Sequence, residues 1–349
     1  MNDMLWFASD YMEGAHPQIL RRLEEINLHH HAGYGLDVLS DAAREKIRTA
    51  CVCPDAEIHF LAGGTQTNAV VLGAMLRPYQ GVIAASSGHV AVHEAGAIEA
   101  GGHKVLPLPH ADGKIAARQI DETACAFLRD ENHEHMVMPG MVYLSQPTEY
   151  GTLYSLSELE AISAVCRRHG LGLYVDGARL AYALACPAND VTLADLARLC
   201  DAFYIGGTKC GALFGEAVVF PKPGTVPHFF SIVKLRGALL AKGFITGLQF
   251  DALFTDGLYA SLGKNAVAAA DRIRSALTRC GYKLRYGSPT NQVFFEADEQ
   301  QLAALSERVH MSYIEAAPEG RTVMRLCTSW ATTEEEVDAL EAALTACAK

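Results

Sequence analysis

The sequence has no excess of basic residues: 29 Lys and Arg stand against 40 Asp and Glu, a formal charge of −11 over 349 residues. Such a surface repels phosphate backbones, so no nucleic-acid partner is expected. Nor is there an apolar run approaching the ~20 residues a membrane span needs. The most apolar helical stretch, Phe229 to Phe250, is interrupted by Lys234, Arg236 and Lys242, and no membrane partner is expected. Met1-Asn2-Asp3-Met4 carries neither a basic n-region nor an apolar h-region, which makes a cytoplasmic location the expectation. None of the ten cysteines forms a C-x-x-C pair, and the C-x-C at Cys51 and Cys53 is neither a zinc half-site nor a redox motif. Cysteines such as Cys125, Cys166, Cys200 and Cys280 then read as reduced thiols packing as small hydrophobes. Repeats and low-complexity segments are missing too, which removes solenoids and linkers.

What is present is a globular composition, 50% hydrophobic and 20% charged, which can offset backbone entropy by burial. The length suits one large domain plus a smaller one. Short apolar runs (Ile58–Ala62, Val82–Ala85, Val142–Ser145, Leu171–Asp176, Ala202–Gly206, Ala217–Phe220) alternate with helical patterns. One of these is led by Ser155-Leu156-Ser157-Glu158 and ends at His169-Gly170; another is Leu193–Leu199. Buried strands alternating with helices imply an α/β fold with a mostly parallel sheet covered on both faces. Near Pro221-Lys222-Pro223-Gly224 the alternation stops. Long helices at roughly 226–242 and 247–280, strand Gln292–Glu296, helix Glu299–Val309, strand Val323–Thr328 and a closing helix from Thr333 read as a smaller α+β domain.

Three places carry chemistry. Ala62-Gly63-Gly64-Thr65-Gln66-Thr67-Asn68 lies between a strand and a helix beginning near Gln66. Two glycines let the backbone approach an anion, and the helix N-terminus favours a phosphate there; a plain strand-to-helix turn is the other reading, and the motif is neither G-x-G-x-x-G nor Walker A. Tyr174-Val175-Asp176-Gly177-Ala178-Arg179 ends an apolar strand, where ligands of open α/β sheets bind. Burying an unpaired carboxylate costs several kcal/mol, so Asp176 is either paired with Arg179 or faces a cofactor. Gly206-Gly207-Thr208-Lys209-Cys210-Gly211 sets a lysine among glycines, where it is either a solvated loop residue or a desolvated Schiff-base nucleophile. Taken together and in that order, a phosphate cradle, a strand-end aspartate and a glycine-flanked lysine are the requirements of pyridoxal 5′-phosphate (PLP).

With these residues placed, the sequence resembles the threonine aldolase/β-eliminating lyase family of fold-type-I PLP enzymes, and within it the low-specificity L-threonine aldolases. The likeness runs through Ser9-Asp10, Gly33-Tyr34-Gly35-x-Asp37, Gly64-Thr65-x-x-Asn68 and His89-x4-Glu94-x-Gly96. It continues through Gln146-x-Thr148-Glu149-x-Gly151, Asp176-Gly177-Ala178-Arg179, Gly206-x-Thr208-Lys209 and Arg325-x-x-Thr328-Ser329. The resemblance implies an aspartate-aminotransferase-type fold, a seven-stranded-type sheet in a large PLP-binding domain at 1–240, and a small C-terminal domain at 241–349. It implies that Gly64, Thr65, Gln66 and Thr208 lie at the cofactor, that His89 stacks on its ring, that Asp176 binds the ring nitrogen, that Arg179 reaches the ring hydroxyl, and that Lys209 is the covalent anchor. Ser9 and Arg325 would hold the substrate carboxylate.

The implied reaction splits β-hydroxy-α-amino acids into glycine and an aldehyde, with β-elimination from an amino acid as the alternative. Many relatives carry histidine and asparagine where this chain has Glu149 and Tyr150, so Glu149 is a candidate base alongside His89. Where relatives place an arginine that reaches the neighbouring subunit's phosphate, this chain has Phe244, with Lys242, Lys234 or Arg236 as possible substitutes. A homodimer or homotetramer is therefore expected. His29-His30-His31 has no partner at ligand spacing, and no metal is expected.

Overall fold

A computed structural model describes residues 4–347. Its strands are β1 (Leu5–Trp6), β2 (Glu57–Leu61), β3 (Gln80–Ala85), β4 (Val105–Leu108), β5 (Met138–Ser145), β6 (Gly172–Asp176), β7 (Ala202–Gly206) and β8 (Glu216–Phe220). Five more follow: β9 (Lys283–Arg285), β10 (Gln292–Ala297), β11 (Val309–His310), β12 (Ser312–Ala316) and β13 (Thr322–Cys327). The main sheet has the order β2-β8-β7-β6-β5-β3-β4. Only β8 runs antiparallel to its neighbours. This is a mixed, mostly parallel seven-stranded sheet, as the alternating pattern requires.

Alternation along the strands explains why both faces are buried. Met141 and Tyr143 of β5, Tyr174 of β6 and Ala202 and Tyr204 of β7 pack in one cluster with Val70, Val71 and Leu72 of helix Gly64–Met75. Their neighbours Val142, Leu144, Leu173, Val175, Phe203 and Ile205 pack on the opposite face with helices Leu156–His169, Leu193–Leu199 and Phe244–Leu253. Each fully buried aliphatic or aromatic side chain of this kind contributes ~1.5–3 kcal/mol. Local signals set the helix ends: Ser155 and Glu158 form a capping box, and Gly170 closes the same helix in the left-handed conformation.

The second sheet, β12-β13-β10-β9, is antiparallel and packs against the later half of helix Leu258–Arg279 and against Glu334–Cys347. The earlier half of Leu258–Arg279 belongs to the main core. The two long helices expected at 226–242 and 247–280 are three: Phe229–Leu235, Phe244–Leu253 and Leu258–Arg279. The breaks are local, since Gly237, Asp256 and Gly257 all have positive φ, a conformation that ends a right-handed helix. The first helix is Pro17–Ile26, and helix Glu299–Ser306 stops before β11. Among the described residues no helix is long and apolar enough to cross a membrane.

Candidate active site

The carboxyl ends of β2, β6 and β7 deliver the three motifs to one place. Helix Gly64–Met75 follows β2 and has no side-chain cap, Gly63 being its N-cap, so its first N–H groups have no partner from the capping residue. A Cβ on Gly63 would meet nothing within 4 Å, while one on Gly64 would stand 3.2 Å from the Tyr204 hydroxyl. The space beside Gly63 is open enough for an anion, and Gly63, Gly64 and Thr65 line a cavity of about 380 Å³. Gln66 stabilises the turn from behind, its Oε1 accepting the Ala62 N–H at 3.2 Å.

Asp176 lines the same cavity, and Arg179 is not among its partners. Its Oδ2 accepts from the Tyr143 hydroxyl at 2.7 Å and from Asn68 Nδ2 at 3.0 Å. Its Oδ1 accepts from the Tyr204 hydroxyl at 2.5 Å and from the Ala178 N–H at 2.9 Å. The register makes this possible: Tyr143 pairs with Tyr174 and Ser145 with Asp176, so side chains two residues apart share a face beneath helix Gly64–Met75. Burial opposes ionisation of Asp176, but His89 and the Tyr204, Asn68 and Tyr143 hydrogen bonds outweigh it and hold the carboxyl below its usual range. Close approach of the chain matters as well. A Cβ at Gly177 would stand 2.0 Å from the Tyr204 carbonyl oxygen, so only glycine fits between the ends of β6 and β7.

Arg179 does not pair with Asp176. It is gripped by Asp10, Nε to Oδ2 at 2.6 Å and Nη2 to Oδ1 at 3.0 Å, and Asn291 donates to the same Asp10 at 2.9 Å. Burial raises the Asp10 carboxyl, yet Arg179 and Lys209 beside it bring it down to about 2. The N-terminal segment, the main sheet and the loop before β10 are thus tied at one ion pair.

Lys209 follows β7 in the glycine loop, with Tyr182 donating to its carbonyl oxygen and its Nζ 5.9 Å from the centre of the Tyr11 ring. Burial and the Arg179 guanidinium lower its pKa, against the opposing charges of Asp10 and Asp176. Thr208 turns its hydroxyl toward β8, accepting the Gly215 N–H at 3.0 Å.

A second cavity of about 610 Å³ opens beside the first and shares Tyr11, His89, Glu149, Arg179 and Lys209 with it. Arg325 lines it, with Nη1 donating to Gln292 Oε1 at 2.9 Å, Nη2 donating to the Ala8 carbonyl at 3.0 Å, and its buried Nε unpartnered. Ser9 follows that carbonyl and is buried, but it lines neither cavity; Tyr11 lines both. Glu149 Oε1 accepts from the Ser145 hydroxyl at 2.6 Å and from the His89 N–H at 2.8 Å. Burial pushes its carboxyl above the usual range, with Asp176 adding to the effect. His89 Nδ1 stands 2.8 Å from Glu94 Oε1, which also accepts from Asn68 at 2.6 Å, so one buried glutamate fixes the ring and the amide that holds Asp176. Lys234, Arg236, Lys242 and Phe244 line neither cavity; Lys234 Nζ lies 4.9 Å from the Tyr34 ring centre.

Sequence reasoning placed the motif positions but missed Tyr143, Tyr204 and Glu216, whose signal is only a polar atom at alternate positions in otherwise apolar strands. Asn68, Glu94 and Asp10 stood inside the quoted motifs without a role. An anion cradle, a lysine with a lowered pKa and an ionised acid facing each other across one cavity suit PLP, whose phosphate, aldehyde and ring nitrogen need those three groups.

Solved structures show the same architecture. Aspartate aminotransferase from Thermus thermophilus matches with a TM-score of 0.71 at 17% identity, over 99% of this chain and 92% of that one, a likeness of fold alone. Fold and site together define a PLP-dependent enzyme of fold type I. The family model for beta-eliminating lyase matches residues 7–316, and the chain belongs to that family of PLP-dependent lyases. It is 31% identical over 341 residues to a low specificity L-threonine aldolase of Pseudomonas sp., covering 96% of each chain. The threonine aldolase of Leishmania major matches with a TM-score of 0.95 at 44% identity, over 99% of both chains.

Proposed function

We propose that this PLP-dependent lyase cleaves the Cα–Cβ bond of β-hydroxy-α-amino acids, of the L-threonine, L-allo-threonine and phenylserine type, to glycine and an aldehyde. The observation that carries this reading is the junction of the two cavities. The cradle and Asp176 lie on one side of it and the guanidinium of Arg325 on the other, while Lys209 and the carboxylate of Glu149 line both. The threonine aldolases of Pseudomonas and Leishmania major support the substrate class.

When bound, PLP supplies the electron sink for the bond that breaks. Gly64 and Thr65 with the helix N-terminus would hold its phosphate, and Lys209, its pKa lowered, would be the covalent anchor. Asp176 would keep the ring nitrogen protonated through a charge-assisted hydrogen bond, as four donors already hold it ionised. His89 would pack on the ring, oriented by Glu94. Arg179, fixed by Asp10, would reach the ring hydroxyl. Arg325, with Ser9 nearby, would grip the α-carboxylate, and Glu149 would take the β-hydroxyl proton.

The division that accompanies this reading places the cofactor-binding unit at 1–240 and the small unit at 241–349, with helix Phe244–Leu253 packed on the former's core. The enzyme would work in the cytoplasm as a homodimer or homotetramer. Tyr34, Leu36 and Phe230, all exposed, line a groove of about 520 Å³ that suits a second subunit. Sedimentation is expected to show at least a dimer; a fully active monomer would refute the assembly.

The test of function is incubation of the PLP-loaded protein with L-threonine and with phenylserine. Glycine and aldehyde are expected, whereas 2-oxo acid and ammonia would establish β-elimination instead. Borohydride reduction and peptide mapping should place the pyridoxyl group on Lys209, and a label on another lysine would remove the assignment. Arg325→Lys should raise KM at least tenfold with PLP occupancy unchanged, because an ammonium cannot reproduce the bidentate grip. Loss of cofactor as the main effect would take Arg325 out of the substrate site.

A further inference from the structure

Glu216 opens β8, the strand inserted antiparallel between β2 and β7, and pairs with Leu61 on one side and Gly206 on the other. It therefore stands between the strand that leads into the cradle and the strand that leads into the Lys209 loop. Val218 and Phe220, two and four residues on, pack in the cluster that includes helix Gly64–Met75, so Glu216 shares the face of Asp176 beneath that helix. It is 3% exposed and lines the inner cavity with Gly63, Gly64, Thr65 and Lys209.

Its hydrogen-bond partners are neutral. The Gly207 N–H donates to Oε2 at 3.0 Å, and the Thr208 side chain lies beside the same carboxyl group. The charged and titratable groups around it are Lys209 and Cys210 in the loop, Asp176 and Tyr174 on β6, Tyr204 on β7 and Tyr259 on helix Leu258–Arg279. Lys209 alone among these favours the ionised form. Burial, with Asp176 against it, pushes the carboxyl up to about 8 in spite of Lys209, Thr208 and Gly207. An ionised carboxylate beside the cradle would repel the phosphate and compete for its donors, whereas a neutral acid carries a donor of its own.

We propose that Glu216 is a further positioning residue of the cofactor site: as a neutral acid it ties the Lys209 loop to the cradle and offers its proton to the anion bound there. The proposal rests on the cofactor roles assigned above to Lys209 and the Gly64-Thr65 turn. By linkage, cofactor binding favours protonated Glu216, and deprotonation loosens the cofactor.

The test is equilibrium dialysis of the holoenzyme against PLP between pH 6.5 and 9, in the wild type and in Glu216→Gln, which is close in shape and permanently neutral. An acid with a midpoint near 8 is about one-tenth neutral at pH 9. The ratio of wild-type to Gln Kd should therefore be near one at pH 6.5 and rise to about tenfold at pH 9. Taking the ratio removes the pH effects that do not depend on Glu216. A ratio that does not change with pH overturns the proposal, as does a Gln variant that binds PLP tenfold more weakly at pH 6.5. Should the Gln variant not fold, Glu216→Met, neutral and without a donor, replaces it: weaker binding than wild type at pH 6.5 with the gap closing by pH 9 is expected, and an unchanged Kd at pH 6.5 overturns the proposal. Pyridoxyl mapping of the wild type separates the failures, since absence of label on Lys209 sinks the cofactor reading, while label with a flat ratio sinks Glu216 alone.

Discussion

Asp176→Asn is expected to leave the fold standing and to lower kcat by on the order of 10²-fold or more, the scale of single electrostatic contacts in active sites. The carboxylate accepts four hydrogen bonds and is nearly inaccessible to water. Asparagine keeps one accepting oxygen and replaces the other with a donor. If the oxygen stays with Tyr204 and Ala178, the new NH₂ faces Tyr143, whose hydroxyl can rotate to accept, and the Asn68 amide, which cannot. Asn68 is locked because its Oδ1 accepts from Tyr174 at 2.9 Å and its Nδ2 also serves Glu94. One donor–donor clash costs ~1–3 kcal/mol, enough to lower Tm without unfolding the protein. The larger loss is chemical, because an amide cannot hold a proton on a ring nitrogen. Steady-state kinetics beside a thermal melt checks both parts, and near-normal turnover would show that the cage exists only to satisfy a buried carboxylate.

How much of this was legible depends on the distance over which each residue finds its partners. The parallel sheet shows in the sequence because a strand buried on both faces must be apolar throughout, as in Leu173-Tyr174-Val175 or Phe203-Tyr204-Ile205. β5 shows in the sequence only from Val142, since Met138-Pro139-Gly140 looks like punctuation, although the chain there is already paired with β3. The helix break at Thr255-Asp256-Gly257 is hidden in the sequence because apolar spacing continues on both sides of it. At the site, strand ends and glycine turns announce themselves locally, which is why Gly64, Asp176 and Lys209 were found.

Pairing is a different matter. Arg179 lies three residues from Asp176 in sequence but binds Asp10, 169 positions away. The tyrosine cage around Asp176 depends on β5, β6 and β7 lying side by side in one register, which no single segment encodes. Glu216 lies just outside the apolar run Ala217–Phe220, and its burial arises only when β8 inserts between β2 and β7.

Glu149→Gln is expected to lower retro-aldol turnover by roughly 10²–10⁴-fold, the usual worth of a positioned base, while the α-proton exchange of glycine largely survives. Glutamine keeps an oxygen for the Ser145 hydroxyl and the His89 N–H, both of which bond to Oε1 in the native chain. Local structure should therefore persist, and only basicity is removed. Glycine has no β-hydroxyl, so its exchange needs no base at that position, and the two rates report different protons on one bound frame. Burial raises the Glu149 carboxyl, so its proton-accepting form builds up with rising pH only above the usual carboxylate range. Retro-aldol kcat in the wild type should accordingly rise with pH through that raised midpoint, and the rise should vanish in the Gln variant. Glu94, buried beside His89, is the control. Glu94→Gln disturbs the same histidine from the other side, so a loss of exchange as well as cleavage is expected there. If Glu149→Gln instead lowers both rates equally, or neither, the proton leaves by another route and Glu149 serves only to hold the His89 backbone.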